Sequence, residues 1–277
     1  MKKEEIIRYV KEHATGTILS FPDRGPWGNS KYRGNFSGWI PASILVRYGC
    51  RSVSEVFAGG GTTSDLCKDL GIPYCGIDLN PNPVRTDITS MDILDYNLEL
   101  PDGFYEADLQ ILHPPYPGIN DIHYSNGMWR DDKGLANVDI QEMPWDQGMH
   151  AVNQAIMRGY AAMPKGAYQA VVVGDIRRKG IFRSMLTNLT LPGEQVQILV
   201  KAQHNTVSGN RTYNNNQFFF IEHEFVVITK KPSGYEIAFV VPQHYTMDIR
   251  DSHSATWKDV VYAVLRQLGA SASLDKI

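Results

Sequence analysis

The apolar positions switch repeatedly between a period near three and a half and short unbroken runs. After a glycine- and proline-rich stretch, Ile44, Leu45 and Tyr48 recur at helical spacing, with Pro41 in the first turn and Gly49 closing the helix. Val53-Ser54-Glu55-Val56-Phe57 then predicts a strand. It opens into Ala58-Gly59-Gly60-Gly61-Thr62-Thr63, after which Leu66, Cys67 and Leu70 share one helical face until Gly71. A second strand, Tyr74 to Asp78, follows within a few residues and ends in an acid. Strand, glycine turn, helix and strand make one βαβ unit with parallel strands.

The same alternation continues downstream. Asp108 to Leu112 predicts a short strand running into His113-Pro114-Pro115-Tyr116. Met149, Val152, Ile156, Tyr160 and Met163 hold helical spacing up to Pro164 and Gly166, and Ala170 to Gly174 is a wholly apolar strand of the buried parallel kind. The runs 195–203 and 222–229 predict two strands able to pair as a hairpin. The fold class expected is α/β, a mostly parallel doubly wound sheet with a C-terminal antiparallel hairpin. Three regions follow: 1–38, an N-terminal helix and an Arg/Gly/aromatic loop; 39–231, the main domain; and 232–277, a strand at 235–241 and an amphipathic helix introduced by Thr256 and Asp259.

Composition narrows the function classes. With 277 residues and 43% hydrophobic ones, the chain can bury a full core. Its net charge of -3 means that any polyanion must be gripped by a local basic surface. Cys50, Cys67 and Cys75 have no metal-ligand spacing and form no disulfide framework, so no metal is expected. The N-terminus lacks the apolar run of about 7 to 15 residues of a signal peptide, and no uncharged stretch reaches the roughly 18 residues of a membrane span. A cytoplasmic protein without membrane contact is expected.

A glycine turn between strand and helix lets backbone approach a ligand closely. Here it has neither the GxGxxG spacing of a pyrophosphate site nor the Gly-Lys-Ser/Thr ending of a P-loop. Asp78 lies beside that turn in this topology, where it can accept both hydroxyls of a ribose; alternatively it closes an Asx-turn with Asn80. An adenosine without pyrophosphate points to S-adenosylmethionine. In His113-Pro114-Pro115-Tyr116 the prolines fix the directions of the His113 side chain and the Pro114 carbonyl, and Tyr116 offers a face for stacking. That arrangement suits a planar group with an exocyclic amine.

Together these motifs resemble the S-adenosylmethionine-dependent DNA amino-methyltransferases, which methylate adenine N6 or cytosine N4. The glycine motif matches at Phe57, Gly59, Gly61 and Thr62, the acid at Asp78, and the Asp/Asn/Ser-Pro-Pro-Tyr motif at Pro114, Pro115 and Tyr116. Upstream, Asn35-Phe36-Ser37-Gly38-Trp39-Ile40-Pro41 occupies the cofactor-binding segment, with Phe36 and Pro41 as its contacts. The resemblance covers about residues 31 to 231 and implies a Rossmann-like fold, with His113 standing where the family has Asp, Asn or Ser. A neutral imidazole still accepts a hydrogen bond from an amine; loss of the acceptor would instead make the chain a non-catalytic partner. What is implied is methyl transfer to a flipped-out base, adenine favoured over cytosine. Transfer to RNA or to a protein amide is the alternative.

Phosphate contacts are expected from Arg177, Arg178, Lys179 and Arg183, and from Arg24, Lys31 and Arg33 in the early loop. A solvated charged turn is the competing reading of residues 177–183. Segments 118–147 and 204–217 could read sequence, and both are short for a recognition domain, which leaves room for a homodimer. Asp87 and Asp92 could approach the adenine, but read more simply as solvated loop acids.

Overall fold

The computed structural model describes residues 1–32, 34–119, 138–178, 180–204 and 218–234. All of them belong to one compact unit, Met1–Val241. Arg33, Lys179, most of the two recognition segments, and the strand and helix expected after residue 234 lie outside the described residues.

The strands are β1 (Ile18–Ser20), β2 (Val53–Val56), β3 (Tyr74–Asp78), β4 (Ile88–Ser90), β5 (Leu109–Leu112), β6 (Tyr168–Arg178), β7 (Ile181–Ser184), β8 (Glu194–Ala202) and β9 (His223–Lys230). The helices are α1 (Lys3–His13), α2 (Trp39–Tyr48), α3 (Thr62–Leu70), α4 (Gly103–Glu106) and α5 (Trp145–Ala162). The main sheet runs β1-β8-β9-β6-β5-β2-β3-β4, with β7 folded back on β6 as a hairpin. Strands β2 to β6 pair in parallel, while β9 runs antiparallel to both β6 and β8. This is the mostly parallel, doubly wound α/β sheet expected, including the antiparallel β8–β9 pair.

Alternation along the strands sends side chains to two cores. Leu109, Ile111, Ala170, Val172, Val226 and Ile228 face Ile6, Ile40, Ile44 and Leu66 of α1, α2 and α3. Leu112, Val171, Val173 and Val227 face Phe104, Met149, Val152 and Ile156 of α4 and α5. Gly49 and Gly71 end α2 and α3 in the left-handed conformation, as their sequence positions predict. Two buried glutamines tie α5 to the sheet: Gln169 donates to Gln110 at 2.8 Å, and Gln110 to the Gly159 carbonyl at 3.1 Å.

Two corrections concern short strands. The span 16–38, expected to be loop throughout, contains β1, whose central Leu19 alone is buried. The charged turn after Arg178 is instead strand β7, with Arg178 paired to Ile181 and Ile176 to Arg183. Among the described residues no helix is long and apolar enough to cross a membrane.

Topology locates the site. The chain runs from β2 outward to β3 and β4, then returns to place β5 on the other side of β2. Strand order reverses between β2 and β5, and in open α/β sheets a ligand crevice opens beyond the strand ends at that point.

Candidate functional site at the strand reversal

Register brings three predicted residues to one level. Val56 pairs with Ile77 on one side and with Leu112 on the other. Phe57, Asp78 and His113 are therefore the next residues out on three neighbouring strands. All three line an open cleft of about 900 Å³, together with Phe36, Gly59, Gly60, Asp92, Ile93, Pro114 and Pro115. Gly61, Thr62, Pro41 and Tyr116 are not among its lining residues.

The glycine turn gets its shape from backbone that L side chains disfavour. Gly59 and Gly61 have φ of 46° and 75°, and Phe57 itself has φ of 63°, a strained value for a non-glycine. The Gly59 N–H donates to Asp78 Oδ2 at 2.7 Å, and the Asn80 N–H to Oδ1 at 2.9 Å. The Asx-turn with Asn80 thus forms, and the same carboxylate pins the glycine turn beside the cleft. Burial raises the Asp78 carboxyl above the ordinary aspartate value, against the pull of these two N–H donors.

Gly28, Asn29 and Asn35 of the N-terminal loop clamp the turn from outside. The Asn29 N–H donates to the Gly60 carbonyl at 2.9 Å, the Gly28 N–H to Asp65 at 3.0 Å, and the Thr62 hydroxyl to Asn35 Oδ1 at 2.9 Å. A Cβ on Gly60 would fall 2.3 Å from that same Asn35 oxygen. Trp27 packs edge-on against Trp39 at 4.9 Å, and their indole N–H groups donate to Asp69 and Asp23. Thr62 therefore acts through Asn35, and Pro41 sits buried in α2, while Phe36 reaches the cleft with its ring 5.2 Å from that of His113.

His113 stands in front of a polar cluster. Glu224, on β9, lies directly opposite Gly174 of β6 and Lys201 of β8. Its Oε1 accepts from the Tyr116 hydroxyl at 3.3 Å and lies 3.9 Å from His113 Nε2, while Lys201 Nζ donates to Oε2 at 3.4 Å. A Cβ on Gly174 would sit 2.6 Å from the Tyr116 hydroxyl, so the missing side chain is what admits Tyr116 to Glu224. Burial would raise the Glu224 carboxyl, but His113, Lys201 and Gln203 outweigh it and hold the group below its ordinary value, ionised. For His113, burial outweighs the opposing pull of Glu224 and, with Lys201 and Arg24, holds the imidazole below its ordinary value, hence neutral at pH 7.

Asp92 is a further correction. Rather than a solvated loop acid it lines the cleft, accepting the Leu94 N–H at 2.8 Å, in a loop whose Ile93 and Asp95 carbonyls are gripped by Arg158 of α5. Asp87 stays outside the cleft and is also not simply solvated: it accepts from Ser64 at 2.8 Å and pairs with Lys68 at 3.3 Å.

The described arginines of the basic cluster all have contacts within the chain. Arg178 donates to the Gly118 carbonyl at 2.9 Å, tying the β6–β7 hairpin to the loop after Tyr116. Arg183 lies over Trp145 at 5.4 Å, and Arg177 over both Phe218 at 4.2 Å and Phe182 at 5.2 Å. Beside them Phe219 is 97% exposed. Sequence reasoning missed the run Phe218-Phe219-Phe220 and the cluster around Glu224, although an acid directly before the apolar run 225–228 was a visible signal.

No protein-family model matches the sequence, and no curated protein matches it. Among solved structures the chain is similar to a candidate DNA modification methylase from Thermus thermophilus, with 14% identity over 47% of each chain and a TM-score of 0.29. It is similar to the N-methyltransferase NodS from Bradyrhizobium japonicum in complex with S-adenosyl-L-homocysteine, with 12% identity over 82% of this chain and 99% of that one and a TM-score of 0.43. TrmN from Thermus thermophilus matches at 15% identity over 69% of this chain and 48% of its own, with a TM-score of 0.39. The chain thus spans less than half the length of the first and third of these proteins.

Proposed function

We propose that this chain is a DNA methyltransferase that moves a methyl group from S-adenosylmethionine to the exocyclic amine of an extruded base, adenine N6 ahead of cytosine N4. The observation that carries the reading is the common level of Phe57, Asp78 and His113 on three adjacent strand ends around one cleft. The cradle suits an adenosine. Gly59 and Gly60 line it with backbone free of side chains, Asp78 would accept the ribose hydroxyls, and Asp92 the adenine amine, with Phe57 and Ile93 against the base. When bound, S-adenosylmethionine supplies a methyl group already activated by its sulfonium.

The chain's own task is then positioning. Neutral His113 accepts one N–H of the target amine and the Pro114 carbonyl a second, which aims the nitrogen lone pair into the cleft. Tyr116, tethered through its hydroxyl to Glu224, presents its ring to the base. Arg177 with Phe182, Phe218 and Phe219 forms the stacking and phosphate face that an unpaired strand needs.

Labelled S-adenosylmethionine incubated with duplex DNA, with RNA and without nucleic acid tests the reading. Label should enter DNA and appear as N6-methyladenine on digestion to nucleosides. His113→Asn should retain turnover and His113→Ala should lose it about 100-fold. Label in RNA alone, or in protein alone, overturns the DNA assignment; an unaffected His113→Ala variant overturns the role of the imidazole.

A further inference from the structure

The resembled family has Asp, Asn or Ser where this chain has His113, and the residue that compensates is visible only in the fold. Glu224 is 10% exposed, accepts from Tyr116 on the motif loop and from Lys201 on β8, is bonded by Gln203 as well, and faces His113 across a 3.9 Å gap. Gly174, directly opposite on β6, leaves the space that makes this meeting fit. The charged groups acting on His113 are Glu224 from β9, Lys201 from β8 and Arg24 from the N-terminal loop.

We propose that Glu224 is the positioning residue of a His113–Glu224 pair: it draws the Nε2–H of His113 toward itself and leaves Nδ1 as the atom that takes the proton released by the amine. The inference rests on the methyl-transfer reading and deepens it. As the amine nitrogen forms its bond to the methyl carbon, the carbon–sulfur bond breaks and its electron pair stays on sulfur. The alkylated nitrogen then carries one proton too many. That proton passes to Nδ1, the imidazolium forms beside the Glu224 carboxylate, and water removes the proton before the next cycle.

Lys201 gives the arrangement its particular character. An unopposed carboxylate beside an imidazole raises its pKa and would leave it charged and unable to accept. Burial is the main reason that His113 is neutral at rest; Lys201, bonded to the far oxygen of Glu224, adds to it by opposing the carboxylate's field, and an anion still faces the ring when a proton arrives.

Histidine-labelled protein, with the His113 resonance assigned by its loss in His113→Asn, reads the pairing without cofactor or turnover. Glu224→Gln should lower the His113 pKa by about one unit and Lys201→Met should raise it by about one. In methyl transfer, Glu224→Gln should lower kcat at least tenfold with little change in KM, and in both variants the acid limb of the pH–rate profile should follow the shifted pKa. If Glu224→Gln does not fold, Lys201→Met carries the test, with its sign opposite. A His113 pKa unmoved in the folded variants overturns the pair. Normal titration shifts in a protein that methylates no amine overturn the methyl-transfer reading and leave the pairing intact.

Discussion

Gly60→Ala isolates the clamp between the N-terminal loop and the glycine turn. Unlike Gly59 and Gly61, Gly60 is not among the positive-φ glycines, so contact is the sole obstacle to a methyl group there. That methyl would fall 2.3 Å from Asn35 Oδ1, the atom that accepts from Thr62 at 2.9 Å. Asn35 must swing away, which also breaks its 3.2 Å bond to the Asn29 carbonyl. Two partly buried hydrogen bonds at roughly 1 kcal/mol each, plus desolvated groups left behind, come to about 2 to 3 kcal/mol. For a domain of this size that lowers Tm by roughly 4 to 12 °C. Asn35→Ala alone removes the same two bonds and should cost about 2 kcal/mol. In the double variant the methyl occupies space already vacated, so the cost should equal that of Asn35→Ala alone, a coupling of about 2 to 3 kcal/mol. Thermal and urea unfolding of the four proteins measure the cycle. Additive costs would refute the clamp, because they would mean that residue 60 and Asn35 act separately.

Asp78→Asn turns one acceptor oxygen into a donor facing a backbone N–H, so affinity for S-adenosylhomocysteine should fall tenfold or more by calorimetry; unchanged affinity would remove Asp78 from the ribose site. Glu55, fully buried against Thr63 and Tyr74, has its carboxyl raised by burial to about 8. The folded chain thus holds a proton that the unfolded chain releases near pH 4.5, and stability should decline as pH rises from there to about 8. Glu55→Gln should flatten that decline, and urea midpoints at pH 5 and pH 8 that fall equally in both proteins would contradict it. Phe219→Ala, at a 97% exposed position, should leave Tm unchanged and weaken single-stranded DNA binding about tenfold; equal binding would place the stacking surface elsewhere.

The central unit from β2 to β3 was legible because three independent signals agree there: a change of apolar period, glycines where φ is positive, and an acid at the next strand end. Short strands escaped. β1 buries only Leu19 and β4 only Ile88, while β7 begins with exposed Ile181 and Phe182, so none shows an alternation to read. Glu224 escaped for a different reason. Its partners come from three separated parts of the chain, and register alone puts Lys201, Gly174 and Glu224 in one row. Asp92 enters the cleft because Arg158, far along the chain on α5, grips the carbonyls that follow it. The arginines near residue 180 were legible as a charge cluster, but composition carried no sign of the rings and carbonyls that occupy them.

The parallel pairing of β1 with β8 sets the order in which the protein can assemble during synthesis. The glycine turn, the loop that clamps it through Asn29 and Asn35, and the Asp78 carboxylate that pins it are all encoded in the first third of the chain, whereas Arg158, which holds the Asp92 loop, comes later. Strand β1 lies within that third, yet its partner emerges from a ribosome later by about 10 to 40 s at ordinary elongation rates. A nascent chain can therefore form its glycine turn while its β1 strand waits as an unpaired edge for a partner made about 180 residues later.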